Sequence, residues 1–304
     1  MFKYHLLALL LGTILDYTFG RIYSIWNPFD SIKRLVKFLD RALLGDEIIL
    51  LEPEKQRSLG MWLIILVLLP VFAITAFFLL LCYDIAPFLG ILFEAFATYL
   101  CLDGKYLYCG AKGVMLDFYG RGIREMKSSF ENLAGVKDDS DSEEDLTKNV
   151  ITYIANETSD SLISPIVFMF LFGPVAGFLW RSLDILDSTV GHKNKRYEFF
   201  GYYTARLSWY INWIPSRFAG YLTVFAAKYT FGDFNWKNAR YVHLRDRNKA
   251  ISAFAGALNI SLKNNTIGSN EKEARAKDIR TAINLMRNDF ILIQMILVIL
   301  LLIF

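Results

Sequence analysis

Histidine and cysteine are scarce in this chain, with three of each in 304 residues. Cys82, Cys101 and Cys109 lie in or beside apolar segments without CxxC spacing. That excludes a disulfide framework and a metal knuckle, and leaves buried apolar thiols as the ordinary expectation. His5, His192 and His243 are too scattered along the chain to propose a triad or a metal cluster. A phosphate loop of the GxxxxGKS/T type, a complete GxGxxG, HExxH and a GxSxG elbow are all missing, so any use of ATP requires a site of another design. There is no internal repeat of about 20 to 50 residues, which argues against an inverted-repeat transporter. Strong net charge is also lacking: 33 Lys and Arg stand against 30 Asp and Glu, for a net +3, and the bases are dispersed. Without a continuous basic stripe, nucleic acid is not an expected partner.

What is abundant is apolar surface. Hydrophobic residues make up 54% of the chain and aromatics 15%, and apolar segments recur from one end of the sequence to the other. An all-α integral membrane protein follows, one polytopic domain over residues 1–304 with amphipathic helices in its polar loops. A spanning helix needs about 20 apolar residues. The expected spans are 5–19, 61–82, 85–102, 163–180, 207–231 and 290–304. Spans 61–82 and 85–102 are separated by little more than Tyr83-Asp84 and form a tight hairpin, which puts residues 21–60 and 103–162 on one side. Each of those loops carries seven Lys or Arg, so the positive-inside rule makes that side cytoplasmic and the cell membrane the location. Segment 163–180 is short and broken by Gly173-Pro174; it either spans or folds back as a re-entrant segment, and re-entry is preferred because it keeps both flanking polar blocks on one side. Residues 207–231, with Asn212, Pro215 and Arg217 among aromatics, suit an interface or a cavity wall.

Polar chemistry concentrates between Asn156 and Arg217. Asn156-Glu157-Thr158-Ser159-Asp160 precedes an apolar segment, either as a helix N-cap at Ser159 or Asp160 or as a site at the membrane surface. Asp184 and Asp187 share a helix face, with Arg181 one turn earlier. They suit Mg²⁺, a hard cation that takes a few carboxylates and keeps substrate phosphates in its shell; an ion pair at a helix end is the plain alternative. Gly191-His192-Lys193-Asn194-Lys195-Arg196 places three cations in four residues, fit either to neutralise phosphate or carboxylate groups or to anchor on anionic lipid. Arg206, Asn212 and Arg217 sit in an aromatic stretch, facing a cavity or snorkelling to the interface. Ser140 with Glu143 reads as a capping box opening an amphipathic helix through Leu146, Val150 and Ile154.

Taken together these blocks resemble the adenosylcobinamide-phosphate synthase family, the integral membrane enzymes of cobalamin biosynthesis. Residues 186–201, LDSTVGHKNKRYEFFG, are similar to its signature LDSxVGxKNxRYxxFG. Ala205-Arg206-Leu207 and Asn212-Trp213-Ile214-Pro215-Ser216-Arg217 resemble the ARLxxxxNWIPAR continuation. Weaker blocks follow in order: Leu15-Asp16 with Gly20, Thr158-Ser159-Asp160 with Pro165, Ala255-Gly256-Ala257-Leu258, and Asp278-Ile279-Arg280 with Ala282 and Leu285-Met286. Asn27-Pro28 stands where the family has His-Pro, and Asn156-Glu157 reverses its Glu-Asn order.

The resemblance implies a carbon-nitrogen ligase that joins aminopropanol, or its O-phosphate, to adenosylcobyric acid, with ATP and Mg²⁺ as cofactors and a corrinoid as substrate. Asp160, Asp184, Asp187 and Lys193 are the expected catalytic residues, with Asp184 and Asp187 on Mg²⁺. Asn194, Arg196, Arg206, Asn212 and Arg217 are expected to bind substrate or nucleotide. Membrane lipid surrounds the protein, and a second copy or a membrane partner of the corrinoid pathway fits the same picture. The rival functions are a permease for a corrinoid or related cargo, an alcohol phosphotransferase, for which Asp103-Gly104 lacks the Ala-Arg of DGxxAR, and a purely structural membrane protein.

Overall fold

A computed structural model describes residues 2–22, 26–45, 52–191, 195–246, 249–263, 265–268 and 272–304. Among them the regular structure is helical, and the only β pairing is an isolated bridge between Leu262 and Ile267. Prolines set many of the boundaries. Four of the seven stand at a helix start, where the missing N–H is no loss and φ is already helical: Pro28 opens α2 (Pro28–Leu44), Pro53 opens α3 (Pro53–Ile85), Pro87 opens α4 (Pro87–Cys101) and Pro174 opens α9 (Pro174–Val190). Asn27 caps α2 by accepting the Phe29 N–H at 2.9 Å. The first helix, α1 (Phe2–Phe19), lies against α4, and Gly12 makes this possible: a Cβ there would stand 2.4 Å from Thr98 Cβ.

α3 and α4 meet at Ala86 as a tight hairpin, and α3 runs through Pro70 without interruption. α4 is followed after Leu102-Asp103 by α5 (Gly104–Arg121), then α6 (Ile123–Ala134) and α7 (Glu143–Glu157). Among the described residues three stretches are long and apolar enough to cross a membrane: Pro53–Ile85, Pro87–Arg121 and Ala276–Ile303, the last being α14. α3 exposes Leu69, Phe72, Phe77 and Leu80, an apolar surface suited to lipid. The C-terminal apolar run at 290–304 is therefore the second half of one long helix that begins at Ala276. Asp278-Ile279-Arg280 sits in the first turns of that helix.

The segment at 163–180 is two helices. α7 passes through a π-turn at 158–163 into α8 (Ser164–Phe172), the chain turns at Gly173, and α9 returns. Gly173 adopts φ +79°, a left-handed conformation that glycine takes without penalty, and Pro174 then starts the return helix. Paired contacts show the antiparallel course. The Phe168 and Trp180 rings stack at 5.2 Å, Met169 packs against Gly177, Trp180 Nε1 donates to Asp160 O at 3.1 Å, and Arg181 Nη1 donates to Ser161 Oγ at 2.8 Å. At nine residues α8 is about 14 Å long, half the hydrocarbon thickness. The re-entrant form thus brings the polar blocks at 156–161 and 181–187 to the same end.

Residues 207–231 likewise divide, into α10 (Tyr202–Ile211) and α11 (Trp213–Tyr229), hinged at Asn212. The remaining helices, α12 (Trp236–Asp246) and α13 (Lys249–Leu258), pack on each other and on α11. Three local expectations are corrected. The cap of α7 is Ser142 with Asp145, since Ser142 Oγ accepts the Asp145 N–H at 3.1 Å; Ser140 accepts from Asn149 instead. Neither Ser159 nor Asp160 caps a helix, because the backbone runs on as the π-turn. Of the thiols, Cys101 is buried, whereas Cys109 is exposed and Cys82 half-buried.

Candidate functional site

One polar cluster gathers residues far apart in the chain. Its centre is Arg181, on the second turn of α9. The guanidinium pairs with Asp184 on its own helix at 3.1 Å, with Asp103 at the α4–α5 junction, and with Ser161 Oγ in the π-turn at 2.8 Å. Ser161 in turn donates to Glu157. Although burial opposes its charge, the carboxylates of Asp103, Asp184 and Glu157 hold Arg181 above its ordinary range. Burial raises the Glu157 carboxyl, against the lowering pull of Ser161 and Arg181.

The π-turn explains how so many polar side chains converge. Pro165 has no N–H and its ring would crowd the carbonyl four residues back in a regular α-helix. Widening the helix to a π pattern, in which Ser164 N–H reaches Ser159 O, relieves this and rotates Asp160 and Ser161 toward different neighbours. Asp160 Oδ1 accepts from Asn212 Nδ2 at 2.8 Å, and Ser164 Oγ donates to Asn212 Oδ1 at 3.1 Å. Asn212 can serve both because it sits at the α10–α11 hinge, aimed back at the turn.

Beside this centre, Asp16 near the end of α1 accepts the Gly104 N–H at 3.0 Å. A carboxylate at the N-terminus of α5 is favoured by the exposed N–H groups and the helix dipole. Tyr99 Oη donates to Gly20 O at 2.6 Å and fixes the end of α1 there. Five carboxyl groups thus lie in this region, Asp16, Asp103, Glu157, Asp160 and Asp184; three of them, Asp103, Glu157 and Asp184, act on Arg181, while Arg21 also acts on Asp103 and Lys105 on Asp16. Such a place attracts a cation, either an ammonium group or a metal ion.

The expected site residues distribute as follows. Asp160, Asn212 and Asp184 belong to this assembly. Asp187 is half-buried one turn further along α9, with its side chain turned toward Gly191. Among the described residues no group of three or more His, Cys, Asp or Glu converges to hold a metal ion. Arg196 belongs to a second cluster: its guanidinium reaches Asp40 at 3.5 Å and Gly45 O at 3.2 Å, and Tyr197 Oη donates to Asp40 at 3.0 Å. That cluster ties the signature to α2. Arg206 is exposed and bonds Tyr202 and Tyr210 hydroxyls on its own helix; Arg217 donates to Trp213 O and stacks 4.0 Å from that ring. The described contacts keep both on their own helices and not at the carboxylates. Lys193 and Asn194 lie outside the described residues.

Asp103, Glu157 and Arg181 were not among the residues singled out for chemistry. Arg181 had a signal in its spacing to Asp184, and Asp16 in being an acid within an apolar helix. Asp103 had none beyond its position at a break between apolar segments.

Fold and cluster together define an all-α membrane protein whose polar centre is assembled around the helical hairpin of α8 and α9. Residues 9–286 match the family described as CobD/Cbib protein, and the chain belongs to that family. Membership places it with the proteins of cobalamin biosynthesis. It is similar to the cobalamin biosynthesis protein CobD of Listeria monocytogenes, with 29% identity over 90% of this chain and 91% of the relative. The protein of the same name from Clostridium perfringens is 24% identical over 92% of this chain and 93% of its own length. That from Halalkalibacterium halodurans is 27% identical over 73% of this chain and 67% of its own length. No solved structure matches the chain.

Proposed function

We propose that this protein is an amide-forming ligase of cobalamin biosynthesis, joining the amine of aminopropanol or its O-phosphate to a propionate carboxylate of adenosylcobyric acid. A carboxylate is a poor acyl donor, so the propionate oxygen first takes the terminal phosphoryl group of ATP, releasing ADP. The amine nitrogen then attacks the acyl carbon. The C–N bond forms, the C–O bond to phosphate breaks, inorganic phosphate leaves, and the amine gives its proton to a carboxylate of the site. The observation that carries this reading is the excess of carboxyl groups at the end of the re-entrant hairpin. These groups can hold an incoming ammonium and accept its proton, with Asp160 oriented for that task by Asn212.

Arg181 keeps the carboxylates from repelling one another, and its remaining positive character faces the charge that develops as the acyl phosphate reacts. Asp184 and Asp187 would hold Mg²⁺ together with the nucleotide phosphates, where the ion would offset the charge of the transferring phosphoryl group. Lys193, Asn194 and Arg196 of the signature serve the phosphate and carboxylate groups of the larger substrates. Catalysis takes place on the cytoplasmic side of the cell membrane, where nucleotide is available. The test is incubation of purified protein in nanodiscs with adenosylcobyric acid, aminopropanol phosphate and Mg-ATP, followed by mass measurement. A new amide with stoichiometric ADP is expected; a folded protein that yields neither refutes the reading.

A further inference from the structure

The surface of α2 is divided three ways. At 3.6 residues per turn, Phe29, Ile32, Val36, Asp40 and Leu44 form one buried edge, and the helix packs on α3 and α9. Lys33, Lys37 and Arg41 stand at i, i+4 and i+8 on one flank, with Arg34 alongside, and all four are exposed. Leu35, Phe38 and Ala42 form the other flank and are exposed too, Phe38 at 67%. Ser31 begins that same row. It accepts the Nε1–H of Trp26 at 2.9 Å, which pins a 68% exposed indole to the apolar flank.

Both acids of α2 are answered by bases from outside the helix, Asp30 by Arg21 at 2.6 Å and Asp40 by Arg196 at 3.5 Å. Lys33, Arg34, Lys37 and Arg41 form no ion pair among the described residues, and Arg34 Nε donates to the Asp30 backbone carbonyl at 3.3 Å. The basic flank therefore carries surplus positive charge.

Neighbouring contacts fix the level of the helix. Asp40 accepts from Tyr197 at 3.0 Å, and the Phe200 carbonyl three residues further on lies against Gly60 of α3. Gly60 immediately precedes the apolar run of α3 that starts at Met61. α2 thus lies where a membrane-crossing helix leaves the hydrocarbon, and an apolar flank beside a basic one suits that boundary. Water gives Trp26 and Phe38 no partner, and a zwitterionic surface gives the four cations no net attraction. A surface with acyl chains and negative headgroups answers both.

We propose that α2 is a docking surface for anionic phospholipid, with Trp26, Leu35 and Phe38 in the acyl boundary and Lys33, Arg34, Lys37 and Arg41 on the headgroup phosphates. Through Asp40 the same helix holds Arg196 and Tyr197, so the lipid contact and the attachment of the signature block share one element.

The test reads lipid contact and needs no turnover. Ala42→Cys carrying bimane, in a background without native thiols, is placed in phosphatidylcholine nanodiscs with a small fraction of nitroxide-labelled phosphatidylglycerol or nitroxide-labelled phosphatidylcholine. The phosphatidylglycerol probe should quench about three- to tenfold more strongly at low salt, and the preference should fade at about 0.5 M salt as charge is screened. Lys33→Gln, Arg34→Gln, Lys37→Gln and Arg41→Gln together should equalise the two probes without abolishing quenching, because the apolar flank is intact. Should that variant not fold, the pairs Lys33→Gln with Lys37→Gln and Arg34→Gln with Arg41→Gln should each remove part of the preference, whereas Lys33→Arg with Lys37→Arg should retain it. Equal quenching by the two probes in the otherwise unaltered protein overturns the proposal, as does a preference that survives loss of the four cations. Absence of quenching by either probe also overturns it, since the flank would then face water or another protein.

Discussion

Replacing Arg181 by Met should be the most damaging single change at the site. Arg181, Asp103 and Asp184 side chains are 14%, 18% and 29% exposed, so water screens the pairs only in part. At 3.1 Å and an effective dielectric of about 20, the Asp184 pair alone has a gross Coulomb attraction of about 5 kcal/mol. The net value of the pair is much smaller because both groups gave up solvation, but removal of one partner leaves the desolvated carboxylates uncompensated. A loss of roughly 3 kcal/mol follows, at the low end of the range for breaking a buried pair because Asp184 keeps some contact with water. For a chain of this size that corresponds to a fall in Tm of about 6 °C, measurable from tryptophan fluorescence in detergent.

The pH dependence fixes the sign. Without Arg181 the folded-state value of the Glu157 carboxyl rises further, since the field of the guanidinium lowers it in the wild type. A carboxyl whose folded value is raised contributes stability that is present at low pH and lost as pH rises through that value. The deficit of the variant should therefore be largest at pH 8 and shrink toward pH 5. Adding Asp103→Asn to Arg181→Met should recover part of the loss, because the double variant buries one charge fewer. A Tm within 1 °C of wild type, a deficit that grows on acidification, or strict additivity with Asp103→Asn would refute the reasoning.

Asn212→Ala removes the donor to Asp160 and the acceptor for Ser164 and should cost about 1 to 2 kcal/mol of stability and at least tenfold in kcat/KM for the amine; undiminished turnover would remove Asn212 from the site. Gly60→Ala should destabilise by roughly 1 to 3 kcal/mol, since a Cβ there would lie 1.9 Å from the Phe200 carbonyl oxygen, and a Tm equal to wild type would contradict that contact. Single cysteines at Lys137 and Lys195, in a background without native thiols, should label with an impermeant maleimide from the same side of right-side-out and inverted vesicles. Labelling from opposite sides would mean that the hairpin of α8 and α9 crosses the membrane.

The apolar runs and the proline positions carried most of the helical layout because they express local physics: length for a span, N1 preference for a start. The break between α8 and α9 was legible too, from Gly173-Pro174. Local patterns failed where two solutions fit the same letters. Ser140 and Ser142 both precede an acid by three residues, and the chain uses the second. For the site, Asp160 and Asn212 are 52 residues apart yet meet directly; the sequence marked each as polar beside apolar surroundings but did not pair them. Asp103 meets Arg181 across 78 residues, and no local pattern encodes such a pair. The aromatic partners of Arg206, by contrast, are four residues to either side, a spacing readable from the sequence that explains why this arginine faces outward.

The short re-entrant hairpin also dictates an order of assembly. With about half the length of a span, α8 cannot be held in the hydrocarbon by its own apolarity. Its end is secured instead by groups from elsewhere: His5 Nε2 lies 2.9 Å from Met169 O, and His5 Nδ1 lies 2.7 Å from Glu94, which also accepts from Tyr83 at 2.9 Å. Those anchors are on α1, α3 and α4, all made earlier in synthesis. Ile293, Leu297 and Leu300 of α14 line one pocket with Ile166 and Phe170, and α14 follows the hairpin in the chain. A chain arrested before residue 276 would carry the block at 186–201 without the helix α14 that packs on the π-turn.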